Sequence, residues 1–302
     1  MTEATRDIPA AAAYVEVARA RPRTKLGALA RVWNLLSYSP IATVGAAIIL
    51  FWCVCAIFAP WVAPYPPNKI DSALLAYPYP TSQHWLGVDH LGRDIASRLI
   101  WGARTVLIVA PIAVLTAAAL GTFLGLLSGY RGGAADAVIM RVGDTLLAFP
   151  KIILYLIIIA KFGASAFNIV AVIGVTNAPI IARIVRAVTL DVKNRDYVAA
   201  ARMRGESPLY IMLVEILPNA RGPLIVDLFL RLGYTTIAIG VLGFLGVGLP
   251  PPDPDWGGMI KETYGMLFVW PHMTIIPSIA ISSLVIGCNF LATGLRESSV
   301  DG

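Results

Sequence analysis

Six long apolar runs constrain this chain more than any other feature. They lie at about residues 41–63, 105–129, 137–160, 167–189, 222–248 and 272–294. A bilayer core of about 30 Å is crossed by roughly 20 apolar residues in a helix. Each run is long enough. In lipid every backbone N–H and C=O must be satisfied inside the protein, so runs of this kind form helices. The expected fold class is all-α integral membrane with six transmembrane helices. Composition supports it: only 14% of residues are charged, too few to cover a water-soluble surface of this size, where about 25% is usual.

The net charge of +6 sits in short segments beside the apolar runs. That pattern orients a chain in a membrane and gives no reason to expect nucleic acid as a partner. Residues 1–38 form a polar, basic arm carrying Arg6, Arg19, Arg21, Arg23, Lys25 and Arg31. The first apolar run is long and has no clear cleavage site, so it reads as an uncleaved span. Placing the arm inside also puts Arg183, Arg186, Lys193, Arg195, Arg202 and Arg204 inside, with both termini cytoplasmic. The membrane domain then covers residues 39–297, with an outer loop at 64–104, an inner loop at 191–220 and a tail at 298–302. Arg93, Arg98 and Arg104 fall outside, against the trend, in the longest outer loop, where the rule is weakest.

Within the spans, small residues recur every fourth position: Ala113, Ala117, Gly121, Gly125 and Gly129. They share one helix face and form a seam for close helix packing. Cys53, Cys55 and Cys288 lie inside apolar runs and read as small fillers. The third run contains Arg141, Asp144, Phe149, Pro150 and Lys151. Arg141 and Asp144 can pair on one face, and Pro150 should kink the helix. Asn177 and Pro179 weaken the fourth run; Asp227 and Arg231, spaced i,i+4, sit in the fifth. Intramembrane charge points to function by default, or else to a neutralised pair that fixes packing near the cytoplasmic end. Asp144, Asn177, Asp227 and Arg231 are thus candidates for either pathway or packing.

Ahead of the second apolar run, residues 95–104 carry Ile95, Leu99 and Ile100 among polar neighbours, which suggests an amphipathic helix on the membrane surface leading into the second span. His84 and His90 flank a turn in the same loop and read as surface residues. Residues 244–259 are rich in Pro and Gly and form a rigid irregular connection holding Trp256. On the inner side, Asp191 to Arg204 is helix-forming. Gly205 stops that helix, Ser207 caps a second one, Pro208 suits its first turn, and Pro218 ends it after Leu217. Ala199, Ala200 and Ala201 leave part of the first helix bare. Tyr197 and Met203 can anchor it in a partner's groove, with Arg195, Arg202 and Arg204 at the rim. The same residues also suit a plain cytoplasmic linker.

The chain resembles the permeases of ATP-binding-cassette importers of the dipeptide/oligopeptide/nickel class, and most of all the smaller permease of a dipeptide-type system. Four blocks carry the likeness, in the family's order. Leu86, Gly87, Asp89, Leu91, Gly92, Arg93 and Asp94 resemble its outer LGTDxLGRD signature. Arg141, Asp144, Leu147, Ala148, Phe149 and Pro150 resemble its third-span run. Ala199, Ala200, Ala201 and Gly205, followed by Leu217 and Pro218, match its EAA loop, with Ala199 in place of Glu and Glu215 in place of Ile. Phe244, Leu245, Gly246, Gly248, Pro251, Pro252, Pro254, Trp256 and Gly257 match its last outer stretch.

The resemblance implies a heterodimer with a second permease, two cytoplasmic ATPase subunits that carry ATP and Mg, and an extracytoplasmic substrate-binding protein. It implies a bacterial cytoplasmic membrane. It also implies a coupling helix between spans four and five, docking on an ATPase subunit through Arg195, Asp196, Tyr197, Ala199, Ala200, Ala201, Arg202, Met203, Gly205, Glu206 and Ser207. The expected cargo is a di- or oligopeptide, with nickel, haem or glutathione as alternatives. The chain is not expected to be an enzyme or to hold a cofactor or metal. It has no Gly-x-x-x-x-Gly-Lys-Ser/Thr loop to cradle a phosphate, no nucleophile–base pair and no metal-ligand spacing. Two other readings compete. An ion-coupled secondary transporter would use Asp144 and Asp227 as ion sites. A lipid-modifying membrane enzyme would need clustered His and acidic residues, whereas His84, His90 and His272 all fall outside.

Overall fold

The computed structural model describes residues 39–75, 77–250 and 253–300; the N-terminal arm, Ala76, Pro251, Pro252 and the last two residues lie outside the described residues. Helices account for nearly all regular structure there, and the only β pairings are two isolated bridges in the 64–104 loop, Ile70 with Arg93 and Val88 with Asp94. Five helices are long and apolar enough to cross a membrane, and a helix pair bent by 90° brings the number to six where the pair counts as one span.

The first span, α1 (Pro40–Ile57), begins where Ser39 accepts a hydrogen bond from the Ala42 N–H and Pro40 occupies the first turn, a position that costs no intrahelical bond. One further turn, α2 (Ala59–Val62), follows. The second span is α3 (Ile95–Arg131), capped by Asp94 through the Ser97 N–H at 2.7 Å. It runs unbroken for 37 residues, about 55 Å at 1.5 Å per residue. The surface helix expected at 95–104 is therefore the buried start of this span, with Ile95, Ala96 and Arg98 all enclosed. Nothing between Asp94 and Pro111 interrupts the helical ladder, and loop residues pack around that end.

The third span is two helices, α4 (Gly133–Ala148) and α5 (Lys151–Phe162), meeting at Phe149–Pro150. The expected kink is a right-angle break, because Pro150 has no N–H and forces Phe149 into an extended conformation, φ −85° and ψ 140°. By contrast α6 (Ala166–Val192) passes through Pro179 without breaking. Thr176 and Asn177 turn their side chains back onto the carbonyls of Val172 and Ile173 at 2.7 and 2.9 Å, holding the turn before the proline in helical register.

After α6 comes a short helix, α7 (Asp196–Met203), then α8 (Pro208–Tyr210), a π turn over Ile211–Ile216, and α9 (Leu217–Phe244). The expectation that Pro218 ends the second loop helix does not hold. Pro218 lies in the first turn of α9, and the ladder slips to the wider i→i+5 register just before it, with the Leu217 N–H bonding to Met212 O. A π turn absorbs the donor that proline lacks without stopping the helix. The chain closes with α10 (Trp256–Thr263) and α11 (His272–Val300).

The small-residue face of α3 lies directly on α6. A Cβ at Gly121 would stand 2.6 Å from Ala178 O, at Gly125 2.5 Å from Ala182 O, and at Gly129 2.6 Å from Thr189 Cβ. On the other flank α1 meets α11 with Gly45 against the Gly287 carbonyl. At one end of the bundle Trp52, Ile95, Trp256, Met273, Leu284, Cys55 and Cys288 form a core, so two of the three cysteines act as apolar filler. At the other end Val185, Val192, Val198, Ala201, Ile211 and Ile216 form a second core. This seats α7 and the π turn firmly on the bundle.

Candidate functional site

Two regions hold the candidate residues: the surface of α7 and a cavity at the break in the third span. On α7 the sequence dictates a closed turn. The Gly205 N–H bonds to Arg202 O at 3.0 Å and the Glu206 N–H to Ala201 O at 3.2 Å, while Gly205 adopts φ +78°. This is the left-handed helix stop that glycine makes at no steric cost. Ser207 accepts from the Tyr210 N–H at 3.2 Å and starts α8.

The three alanines do not share one bare surface. Ala201 is fully buried against the bundle with Val198, since consecutive residues point about 100° apart. Ala199 faces outward and Ala200 is half-buried. Met203 is 83% exposed and Tyr197 38%, so both anchors are free. The arginines are partly engaged within the chain. Arg195 pairs with Asp191 at 2.7 Å, Arg204 reaches Glu215 at 3.4 Å, and Arg202 lies over the Tyr130 ring at 5.4 Å. Glu215 thus ties the π turn to the end of α7.

The cavity has a volume of about 660 Å³ and is walled by α5, α6 and α9. Asn177, Asp227 and Arg231 all line it, together with Pro150, Lys151, Tyr155 and Tyr234. Arg231 is buried and grips Asp227 through Nε, and through a second guanidinium nitrogen at 3.0 Å. Lys151 Nζ donates to Asn177 Oδ1 at 2.8 Å. Asn177 and the Asp227–Arg231 pair sit near the middle of their helices, not near a helix end, where a packing pair was expected. Asp144 is elsewhere. It pairs with Arg183 at 2.5 Å, and both side chains are more than half exposed. The expected Arg141–Asp144 pair does not form, because α6 brings Arg183 up to α4. Sequence reasoning left Lys151, Tyr155 and Tyr234 off the candidate set. A lysine immediately after the span-breaking proline was the available signal for the first; the tyrosines carry none in sequence.

A third cluster holds the opposite end together. Asp89 Oδ1 accepts from the Leu91 and Arg93 N–H groups, and its Oδ2 from Arg93 Nε at 2.7 Å and Arg98 at 2.5 Å. Glu262 of α10 takes the same two arginines at 2.5 and 3.2 Å. Burial works against the Asp89 charge, but the Arg93 N–H and the two guanidinium charges prevail and hold its carboxyl below the ordinary range. Two of the three arginines that broke the charge asymmetry, Arg93 and Arg98, are therefore neutralised in place, while Arg104 lies over the Trp101 ring at 5.7 Å. His90 also approaches Asp89 and Glu262, yet both carboxylates already carry guanidinium partners. His84 is buried, not a surface residue: its Nδ1 lies 2.8 Å from Asp94 Oδ1 and its ring stacks on Tyr65.

Beside this cluster Asp255 caps α10, accepting from the Gly257 and Gly258 N–H groups at 3.3 and 3.0 Å. Burial pushes its carboxyl up to about 6. An acid with a raised native pKa binds its proton in the folded state first, so stability falls as pH rises from about 4 to 6. The full effect is on the order of 3 kcal/mol. Asp255→Asn keeps an acceptor for the cap and removes the titration. Thermal melts of the detergent-solubilised protein should show a decline over that window for the wild type and a flatter profile for the variant.

The sequence matches two family descriptions: a binding-protein-dependent transport system inner membrane component over residues 121–299, and the N-terminal membrane domain of oligopeptide transport permease C over residues 28–80. It is 36% identical over 266 residues to the glutathione transport system permease protein of Pectobacterium atrosepticum, and 38% identical to that of an Escherichia coli strain, covering 88% of each chain in both cases. It is 35% identical over 275 residues to the dipeptide transport system permease protein of Haemophilus influenzae, covering 89% of this chain and 93% of the relative.

Proposed function

This chain belongs to the family of binding-protein-dependent transport inner membrane components, in its peptide and oligopeptide permease class, and from that premise we propose that it forms half of the path by which an ATP-driven importer takes up small peptides. The observation that carries this reading is the pairing of a well-seated exposed helix at one end of the bundle with a charged cavity inside it. Met203 and Tyr197 offer apolar anchors on α7, while the buried Val198 and Ala201 set the same helix in a core shared with the π turn, α3 and α6. A push on α7 is therefore passed to the helices that wall the cavity. Energy enters from ATPase subunits with their ATP and Mg, a second permease completes the path, and a substrate-binding protein delivers cargo on the opposite side. The end carrying α7 faces the cytoplasm, as do both termini, in a bacterial cytoplasmic membrane. The relatives carry the names of glutathione and dipeptide systems; a short peptide with free carboxylates is the cargo class common to both.

Reconstitution tests it. Proteoliposomes holding this chain, its second permease, both ATPase subunits and the binding protein should take up labelled dipeptide only with ATP inside the ATPase compartment. Glutathione competition then ranks the two cargoes. Uptake by this chain alone, driven by a proton or sodium gradient, would replace the reading with an ion-coupled carrier. For the docking surface, Met203→Cys is expected to crosslink to an ATPase subunit in the assembled complex. Failure to do so under conditions that crosslink the two ATPase subunits to each other would remove α7 as the contact.

A further inference from the structure

The cavity at the break in the third span contains a cation with no carboxylate of its own. Asp227 is the only acidic residue lining it among the described residues, and Arg231 holds both of its oxygens. Lys151 is left with a single neutral partner, the Asn177 amide oxygen at 2.8 Å. The cavity thus carries one net positive charge beside the aliphatic side chains of Ile152, Ile180, Leu230, Ile237 and Val241. A charge at this depth is costly, and one neutral hydrogen bond offsets little of that cost. An incoming anion would offset far more.

Local structure adds to the positive potential. Lys151 is the first residue of α5, and Pro150 before it supplies no side-chain cap. The free N–H groups of that first turn and the helix dipole favour an anion at the same place. Broken helices inside transporters commonly turn such ends toward the cargo. Tyr234 and Ile152 are exposed, so the cavity opens on an uncovered flank of this chain.

We propose that Lys151 binds the carboxylate of the peptide cargo as it passes through this cavity, with the head of α5 assisting and the Asp227–Arg231 pair setting the local charge. This rests on the transport reading above and names the recognition chemistry within it. The arrangement would select for peptides with a free carboxylate and against cargo presenting only cations at this point.

The test uses the complete importer with its binding protein in proteoliposomes, with uptake of labelled dialanine normalised to assembled complex. Lys151→Gln keeps a donor for Asn177 but loses the charge; Lys151→Arg keeps the charge; Lys151→Glu reverses it. Expected uptake is within about two-fold of wild type for Arg, about ten-fold lower for Gln, and lower still for Glu, the scale of losing one charge-assisted contact. Equal uptake by the Gln and Arg variants, whether both normal or both lost, overturns the charge role. Wild-type complex that shows no ATP-driven uptake of any peptide overturns the transport reading, and this inference with it; normal wild-type uptake with an unaffected Lys151→Gln overturns this inference alone.

Discussion

Gly205→Pro is expected to lower ATP-driven uptake by at least an order of magnitude while the chain still inserts in the membrane. Proline is locked near φ −65°, and Gly205 sits at φ +78°. The substitution also deletes the N–H that bonds Arg202 O. The turn from α7 into α8 must then reorganise, and α7 loses its fixed angle to the bundle. Gly205→Ala separates the two causes. No atom lies within 4 Å of a Cβ at this position, so alanine meets no clash and pays only the left-handed backbone cost, about 1–2 kcal/mol. The alanine variant should show a mild loss and the proline variant a severe one. Uptake and peptide-stimulated ATP hydrolysis in reconstituted complex read both. Unchanged stimulation in the proline variant would mean that α7 transmits nothing.

The turn at Gly205 was legible in sequence because each of its parts has one strong local cause: Gly for the left-handed stop, Ser207 for the cap, Pro208 for the first helical turn. The seam on α3 was legible for the same reason, since a four-residue repeat of small side chains has a single geometric meaning. What failed was non-local. Pro218 resembles a helix end, but packing of Ile211 and Ile216 into the bundle makes it cheaper to widen the helix by one register than to end it. Pro150 and Pro179 look alike in sequence. One breaks its helix by a right angle, while α6 carries the other without a break; neither proline's own neighbours in sequence distinguish the two outcomes.

The charged residues show the same division. Asp227 and Arg231 pair within one helix, and their spacing gave the contact. Asp144 had an equally good neighbour in Arg141, yet it took Arg183 from another helix. Arg93 and Arg98 seemed misplaced until Glu262, more than 160 residues away in sequence, was brought beside Asp89. Contacts that join distant segments follow from the assembled bundle and leave no mark at either position.

Gly125→Leu should be the most damaging single change within the membrane. A Cβ there would lie 2.5 Å from Ala182 O and 2.8 Å from Val185 Cβ. The first of these is backbone, which cannot rotate aside as a side chain can. To admit even one methyl, α3 and α6 must separate, and Gly121 and Gly129 would lose their close contacts along with it. Overpacking a core typically costs about 1–3 kcal/mol; here the upper end is expected, because lipid supplies no hydrophobic drive to hold displaced helices together and the seam depends on close contact alone. Gly125→Ala should fall between wild type and leucine. Ile108→Leu, on the half-exposed face of the same helix, should stay within about 0.5 kcal/mol. Thermal unfolding of the detergent-solubilised chain orders the four. Leucine at the seam with a normal melting temperature would show that α3 and α6 are held by something other than their glycine contact, and the rigid link from α7 to the cavity walls would lose its physical basis.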